Sequence, residues 1–433
     1  MGLFDSLWRF DGINTVTGSS PFQGRRRGRF RRGPRPLQHP VFRRVLGASV
    51  VSHLVRFLDF TIVAWLVVQQ TDDSSAVGLL VFFRVIPFLI LGPFIGALLD
   101  RYSRIGIFRK SQLGMAIVAV GFGVAIAFGY SSLPVIYLYT LFSGVLMVVE
   151  IPSRRAYMSS VVGPAALGSA MALDMVSLNS AWFIGSNLGG VVAKLIDPSI
   201  AYFGIGAVYL LNFLSLRGLP VMSRPNRGES AGNPFAAIAE GFRFSRANPA
   251  IFAGLLVVGV NNFFGYAFES MAPAFARDIY GVGPTQFGLL MSAQGLGALV
   301  TAGYVAVRGK RIANPGVLLI SASLVQMVGS VGFSFTQTVG VGFVAIALLG
   351  LVSMVFGITH TLLILLASPD KFRGRVMGFQ VLMMGLFPIG SLALGFTADA
   401  IGLGQAVRVF AYIGFVLLAI IWVKYPELRK PVG

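Results

Sequence analysis

Apolar stretches of roughly 20 residues recur along this chain from Val45 to Val423, and that repetition dictates the solvent in which it must fold. Each stretch is long enough to cross the hydrocarbon core of a bilayer as a helix. That core offers no water to backbone N–H and C=O groups, so only helices or closed barrels can span it. The runs are continuous rather than alternating, and therefore read as helices. Only 12% of the 433 residues are charged, well below the quarter or so of a soluble domain. The pattern predicts an all-α polytopic membrane protein. Its twelve spans are expected near 43–69, 74–99, 106–129, 133–156, 166–193, 199–218, 249–276, 284–306, 313–335, 339–367, 374–399 and 405–425.

A net charge of +19 would suit a nucleic-acid binder, but its placement follows membrane topology. On this map most of the 35 lysines and arginines fall on the side of the two termini. Lys194, Arg277 and Arg408 remain on the other side, with Arg56 and Arg84 inside spans. Cytoplasmic loops collect basic residues, so both termini are expected in the cytoplasm of an inner-membrane protein, and no nucleic-acid partner is expected. One segment exceeds that need. Arg25, Arg26, Arg27, Arg29, Arg31, Arg32 and Arg35 crowd a Gly/Pro-punctuated tail, residues 1–40, that has no helical period and reads as disordered. Attraction to anionic lipid headgroups is one reading. Docking of a protein partner through residues 1–35, where Leu3, Phe4, Leu7 and Trp8 add an apolar patch, is the other.

The chain has no cysteine, which removes disulfides, thiolate metal sites and cysteine nucleophiles. His39, His53 and His360 are too scattered for a metal site, and no Gly-Lys-Ser/Thr phosphate loop is present. No cofactor, metal or enzymatic activity is expected. The polar interval from Gly218 to Asn248 divides the chain into six-helix bundles at 41–218 and 249–426, with a cytoplasmic linker at 219–248 and a short tail at 427–433. Within the linker, Pro234 to Ser245 reads as an amphipathic helix with Phe235, Ile238 and Phe242 on one face. Weak internal symmetry relates Pro152-Ser153-Arg154-Arg155, taken as the loop after the fourth span, to Pro369–Arg375 after the tenth.

Charged groups inside spans cost about 2.5–3.5 kcal/mol each and are functional candidates by default. Arg56 and Asp59 lie three apart on one helical face, as an internal salt bridge or as a titrating acid with a resident arginine. Arg84 needs a partner, either Asp59, an acid on a neighbouring helix, or an anionic substrate. Glu150 is a candidate proton carrier, and Asp174 either shares that role or pairs with Arg154 or Arg155. In the seventh span Asn261, Asn262 and Glu269 follow at helical spacing among Phe263, Phe264, Tyr266 and Phe268. An acid among aromatics suits a cationic or amphipathic ligand, or else the rings merely pack. His360 is a proton relay or a hydrogen-bonded structural histidine. Arg56, Asn179, Asn261, Asn262 and Phe264 are the expected substrate-lining set.

Several short segments carry a resemblance in common. They are Trp65–Thr71, Gly96–Arg104, Pro152–Ala156, Asn248-Pro249, Ala274–Asp278 and Pro369–Met377. In this order and spacing the core from about Pro40 to Lys430 resembles the drug:proton-antiporter-3 branch of the major facilitator superfamily, which includes macrolide efflux proteins and catecholate-siderophore exporters. The resemblance implies two six-helix bundles with a small-molecule substrate held near the midplane. It also implies alternating access, protons as coupling ion, and a monomer. Gly96, Asp100, Arg101 and Arg104 match the family's loop between spans two and three, a breakable clasp that steadies one closure state. The fifth span reads Gly185-Ser186-Asn187-Leu188-Gly189-Gly190, lacking the proline common there, and Trp182 stands where an arginine is common.

The expected function is proton-coupled export of a small amphipathic compound, drug-like or siderophore-like. Import on the same fold, or a transport-inactive structural subunit of a larger membrane complex, are the alternatives. If the loop is a clasp, Asp100→Asn lowers transport while the amount of protein inserted in the membrane stays unchanged. Wild-type flux in that variant rules the role out.

Overall fold

The computed structural model describes residues 36–222, 234–308 and 314–430. The basic tail 1–35 and linker residues 223–233 lie outside the described residues, as do the side chains of Gly96 and Asp100. The chain is helical nearly throughout. The first half contains α1 (Pro40–Gln70), α2 (Ser74–Arg101), α3 (Arg104–Ala127), α4 (Leu133–Gly163), α5 (164–195) and α6 (Pro198–Ser215). The linker forms α7 (Pro234–Ala247). The second half contains α8 (Pro249–Ile279), α9 (Pro284–Arg308), α10 (Pro315–Ser334), α11 (Val339–Ala367), α12 (370–401) and α13 (Leu403–Lys424).

Local chemistry sets many of these boundaries. Proline opens α1, α6, α8 and α10, where a missing N–H costs nothing. Ser103 Oγ accepts from Gly106 N at 3.2 Å and caps α3. Between α4 and α5 the helical path breaks at one residue. Gly163 has φ 69°, a left-handed conformation that a side chain resists. The expected loop at Pro152–Arg155 is therefore wrong: those residues lie inside α4, and Arg154 has no exposed surface. Basic character there signalled neutralised burial rather than a solvated turn.

Among the described residues eleven helices are both long and apolar enough to cross a membrane. The expected twelfth, α5, has the length, but Asp174, Asn179, Ser186 and Asn187 keep it below that apolarity. It lies inside the bundle, its Gly185 and Gly189 pressed against the backbone of Leu54 and Leu58 on α1.

The two halves meet unevenly. On the face opposite the termini, the far face, one apolar cluster spans both halves and includes Trp65 stacked on Phe287 at 5.6 Å. Gly190 and Gly288 bring α5 and α9 into backbone contact, since a Cβ on Gly288 would lie 2.5 Å from the Ser186 carbonyl oxygen. Gly78 on α2 abuts Ser391 and Leu392 on α12 in the same way. Toward the terminus face the core divides. Phe42, Ile105, Phe108 and Tyr157 belong to a cluster of the first half, and Ile251, Leu255, Ile364 and Val376 to one of the second. The halves share one apolar cluster at the far face, and toward the terminus face each holds a cluster of its own.

The far-face seam is testable with a wedge. A Cβ on Gly78 would lie 2.8 Å from the Ser391 carbonyl oxygen and 3.2 Å from Leu392 Cα, backbone that cannot yield cheaply. Gly78→Leu is therefore expected to force the seam apart and raise maleimide labelling of Ser391→Cys, a position fully buried in the closed seam, in a chain with no native cysteine. Unchanged labelling contradicts the seam.

Candidate functional site

Among the described residues the first half buries three arginines and three acids, and each finds an opposite charge. Arg84 Nη2 donates to Asp59 Oδ2 at 2.8 Å, and Tyr139 donates to Asp59 Oδ1 at 2.6 Å. Arg56 pairs with Glu150. Glu150 also accepts from Arg154 Nε at 2.7 Å, and Arg154 reaches on to Asp174. Arg155 Nε closes the series on Asp174 at 3.2 Å. The internal Arg56–Asp59 bridge is not formed. Each of the two instead turns to a neighbouring helix, which ties α1 to α4 and to α2.

His53 completes this network. Its Nε2 lies 2.8 Å from Arg154 Nη2 and its Nδ1 lies 3.0 Å from Ser177 Oγ. Arginine has no acceptor, so Nε2 must accept and Nδ1–H must donate to the serine. This assigns an uncharged ring.

The second half is built differently. Glu269 on α8 is partly buried, and no cation pairs with it among the described residues. Its Oε1 accepts from Gln294 Nε2 of α9 at 2.6 Å. The same nitrogen lies 3.2 Å from Ser353 Oγ on α11, which meets the Tyr266 hydroxyl at 3.1 Å. Gln294 Oε1 is buried with no partner among the described residues.

Two wide turns flank Glu269. Tyr266 N bonds back five residues to Asn261 O at 2.9 Å, and Tyr280 N to Phe275 O at 3.0 Å. Such π-turns insert a residue into the helix and recur at functional sites. Pro273 between them removes a backbone donor.

The other expected residues lie apart from this group. Asn261 is fully buried with neither amide atom partnered among the described residues, whereas Asn262 bonds Val258 O at 2.9 Å. Asn179 bonds Met175 O on its own helix, at the α5–α9 seam. Phe264 packs between Phe263 and Phe410, and Phe268 against Phe333, so most of the aromatic stripe is core. Tyr266 alone joins the carboxylate's network. His360 Nδ1 lies 2.5 Å from Gln380 Nε2, far along α11 from Ser353. Arg104 bonds Ser160 Oγ at 2.5 Å within its own half, and Arg101 lies over the Tyr102 ring. Gln294 and Ser353 escaped the sequence reading because a neutral polar residue in an apolar span carries no charge to flag it. His53 and Gln380 escaped for want of a visible partner.

Residues 33–430 match the family model described as Transmembrane secretion effector. The staphyloferrin A transporter of Staphylococcus aureus is 22% identical over 369 residues, covering 84% of this chain and 91% of that protein. Macrolide efflux protein A of Streptococcus pyogenes is 21% identical over 373 residues, 84% of this chain and 90% of that protein. Among solved structures, a bacterial homolog of the human lysosomal transporter Spinster superposes with TM-score 0.66 at 15% identity, covering 91% of this chain and 99% of that one. Nucleoside transporter NupG gives 0.63 at 15% identity, covering 89% and 98%. At such identities these structures establish the fold.

Removing one partner of a fully buried ion pair costs about 3–5 kcal/mol, whereas an exposed pair is worth about 0–1 kcal/mol. Arg154→Met is thus expected to lower the thermal unfolding midpoint in detergent by several degrees or abolish folding. Arg155→Gln, whose side chain is 38% exposed, is expected to leave it nearly unchanged. Equal shifts contradict the network's role.

Proposed function

The chain belongs to the transmembrane secretion effectors, membrane transporters of the major facilitator type, and on that premise we propose that it exports a small cationic or amphipathic molecule in exchange for protons. One observation carries this reading. Among the described residues, each buried acid of the first half is neutralised by arginine, while Glu269 has only the neutral Gln294 donor beside it. A carboxylate without a resident cation is the group free to take a proton or a positively charged ligand.

In the proposed cycle the terminus face is cytoplasmic, consistent with its excess of basic residues, and substrate enters between the separate clusters of the two halves on that side. Substrate charge replaces the proton on Glu269, with Gln294 and Ser353 holding the carboxylate in place. Tyr266 offers a ring face and a hydroxyl to the same ligand. The two halves then rock, the far face opens, and substrate leaves as a proton returns. The charge-balanced first half serves as the rigid body of this motion. The efflux role of macrolide efflux protein A and the staphyloferrin A transporter's small-molecule cargo support the direction and the size class.

The test compares small molecules inside cells and in their medium for three strains: one lacking the protein, one expressing it, and one expressing Glu269→Gln. A compound driven outward only by the intact protein is expected. Loss of one charge-assisted contact, roughly 1.5–3 kcal/mol, corresponds to at least a tenfold fall in that efflux for the variant, with normal protein in the membrane. Inward movement reverses the direction, and full efflux by Glu269→Gln removes the carboxylate from the mechanism.

A further inference from the structure

The α1–α2 hairpin at the far face presents two bare helix ends, and each is capped by a charged side chain from the other half. At the end of α1 no basic residue of its own last turn serves the free carbonyls. Arg277 of α8 donates instead to Val68 O and, at 2.5 Å, to Thr71 O, with Asp72 Oδ1 at 3.3 Å. At the start of α2 the resident N-cap, Asp73, makes no capping hydrogen bond with its side chain. Asp399 of α12 takes that place. Its two carboxylate oxygens accept from Ser74 N at 2.6 Å and Ser75 N at 3.0 Å.

Both contacts have the sign that helix ends favour, a cation at the C-terminus and an anion at the N-terminus. Both join the two halves, and they grip one hairpin from two separate helices. They also sit where the seam is tightest, since a Cβ on Gly395, four residues before Asp399, would lie 2.8 Å from Ser75 Cα. Charge–dipole contacts near water are weak enough to be broken in each turnover.

We propose that Arg277 and Asp399 are the far-face gate of this transporter, paired caps supplied in trans whose release frees the α1–α2 hairpin from the second half. The gate rests on the chain working by alternating access and is independent of the substrate and of Glu269. Opening the far face exposes the carbonyls of α1 and the amides of α2 together, so water must replace both caps at once. Closing restores them without any new contact being made inside either half.

The absence of native cysteine allows a direct measurement in nanodiscs, where both faces meet solvent. Ser391→Cys reports on the far-face seam, where Ser391 is fully buried. Val381→Cys, 45% exposed and near Gly92 of α2, reports from nearer the terminus face. With a water-soluble maleimide, Asp399→Asn and Arg277→Gln are each expected to raise labelling at position 391 by about three- to tenfold, and the double variant more. Labelling at position 381 falls in the same variants as the population shifts. Arg408→Gln is the control, because Arg408 lies over the Phe335 ring within the second half. Unchanged labelling at 391 in both single variants overturns the gate. An equal rise at both positions, the mark of general loosening, overturns it as well. These readouts need no substrate, so they stand or fall separately from the export assay.

Discussion

A charge held away from water must be answered where it sits, and Arg154 is the point from which much of the first half follows. With no exposed surface, it is gripped by Glu150 one turn back on α4 and by Asp174 on α5, while its remaining nitrogen meets an uncharged His53 on α1. Three helices are thereby held in fixed rotation about their axes. Arg56 pairs with Glu150, and Asp59 is left for Arg84 and Tyr139. The pairs form two series, one running from Arg56 to Arg155 and one joining Arg84 to Asp59, with Arg84 Nη2 also 3.4 Å from the Arg56 carbonyl oxygen. Replacing such a series by apolar side chains need not weaken a fold, so its value here lies in fixing a single arrangement of the helices.

The second half spends its polar groups in another way. Glu269, Gln294, Ser353 and Tyr266 are joined by hydrogen bonds that use one net charge among four side chains. The surrounding helix is interrupted twice by π-turns and once by Pro273. A charge-balanced half faces one whose buried acid is held by neutral donors, and the apolar cluster they share lies toward the far face. In the cycle proposed above, such a division would let the second half answer protonation or binding at Glu269 without unsettling the frame against which it moves.

The span map was legible because a bilayer demands about 20 apolar residues at a time and tolerates few exceptions. Asp59 was among the partners the sequence offered Arg84, beside an acid on a neighbouring helix and an anionic substrate, and the structure makes that pair. Arg56 could not be given Glu150. The choice between an acid three residues away and one on another helix depends on how those helices are rotated, which a single sequence does not encode locally. Pro152–Arg155 was misread for a related reason. Proline and two arginines look like a turn until Asp174 is seen opposite them. Glu269 stood out as an acid among aromatics, yet the rings around it serve the core, and its actual neighbour Gln294 carries no pattern at all. Arg277 was noticed as a topological exception and as part of the Ala274–Asp278 segment, with no partner given to it. Its role at the end of α1 requires knowing that the two halves meet there.

The corner at Gly163 has a consequence for how this chain tolerates change. Because α4 passes to α5 through one left-handed residue, there is no slack between Arg154 and Asp174. One residue inserted or deleted there would turn α5 by about 100° relative to α4. Asp174 would then point away from Arg154, leaving both charges stranded. Length variation is thus forbidden at a place that looks, from its glycine and proline, like an ordinary surface connection. The junction behaves as a ruler, with the distance along the chain as strictly set as the identity of the residues at its ends.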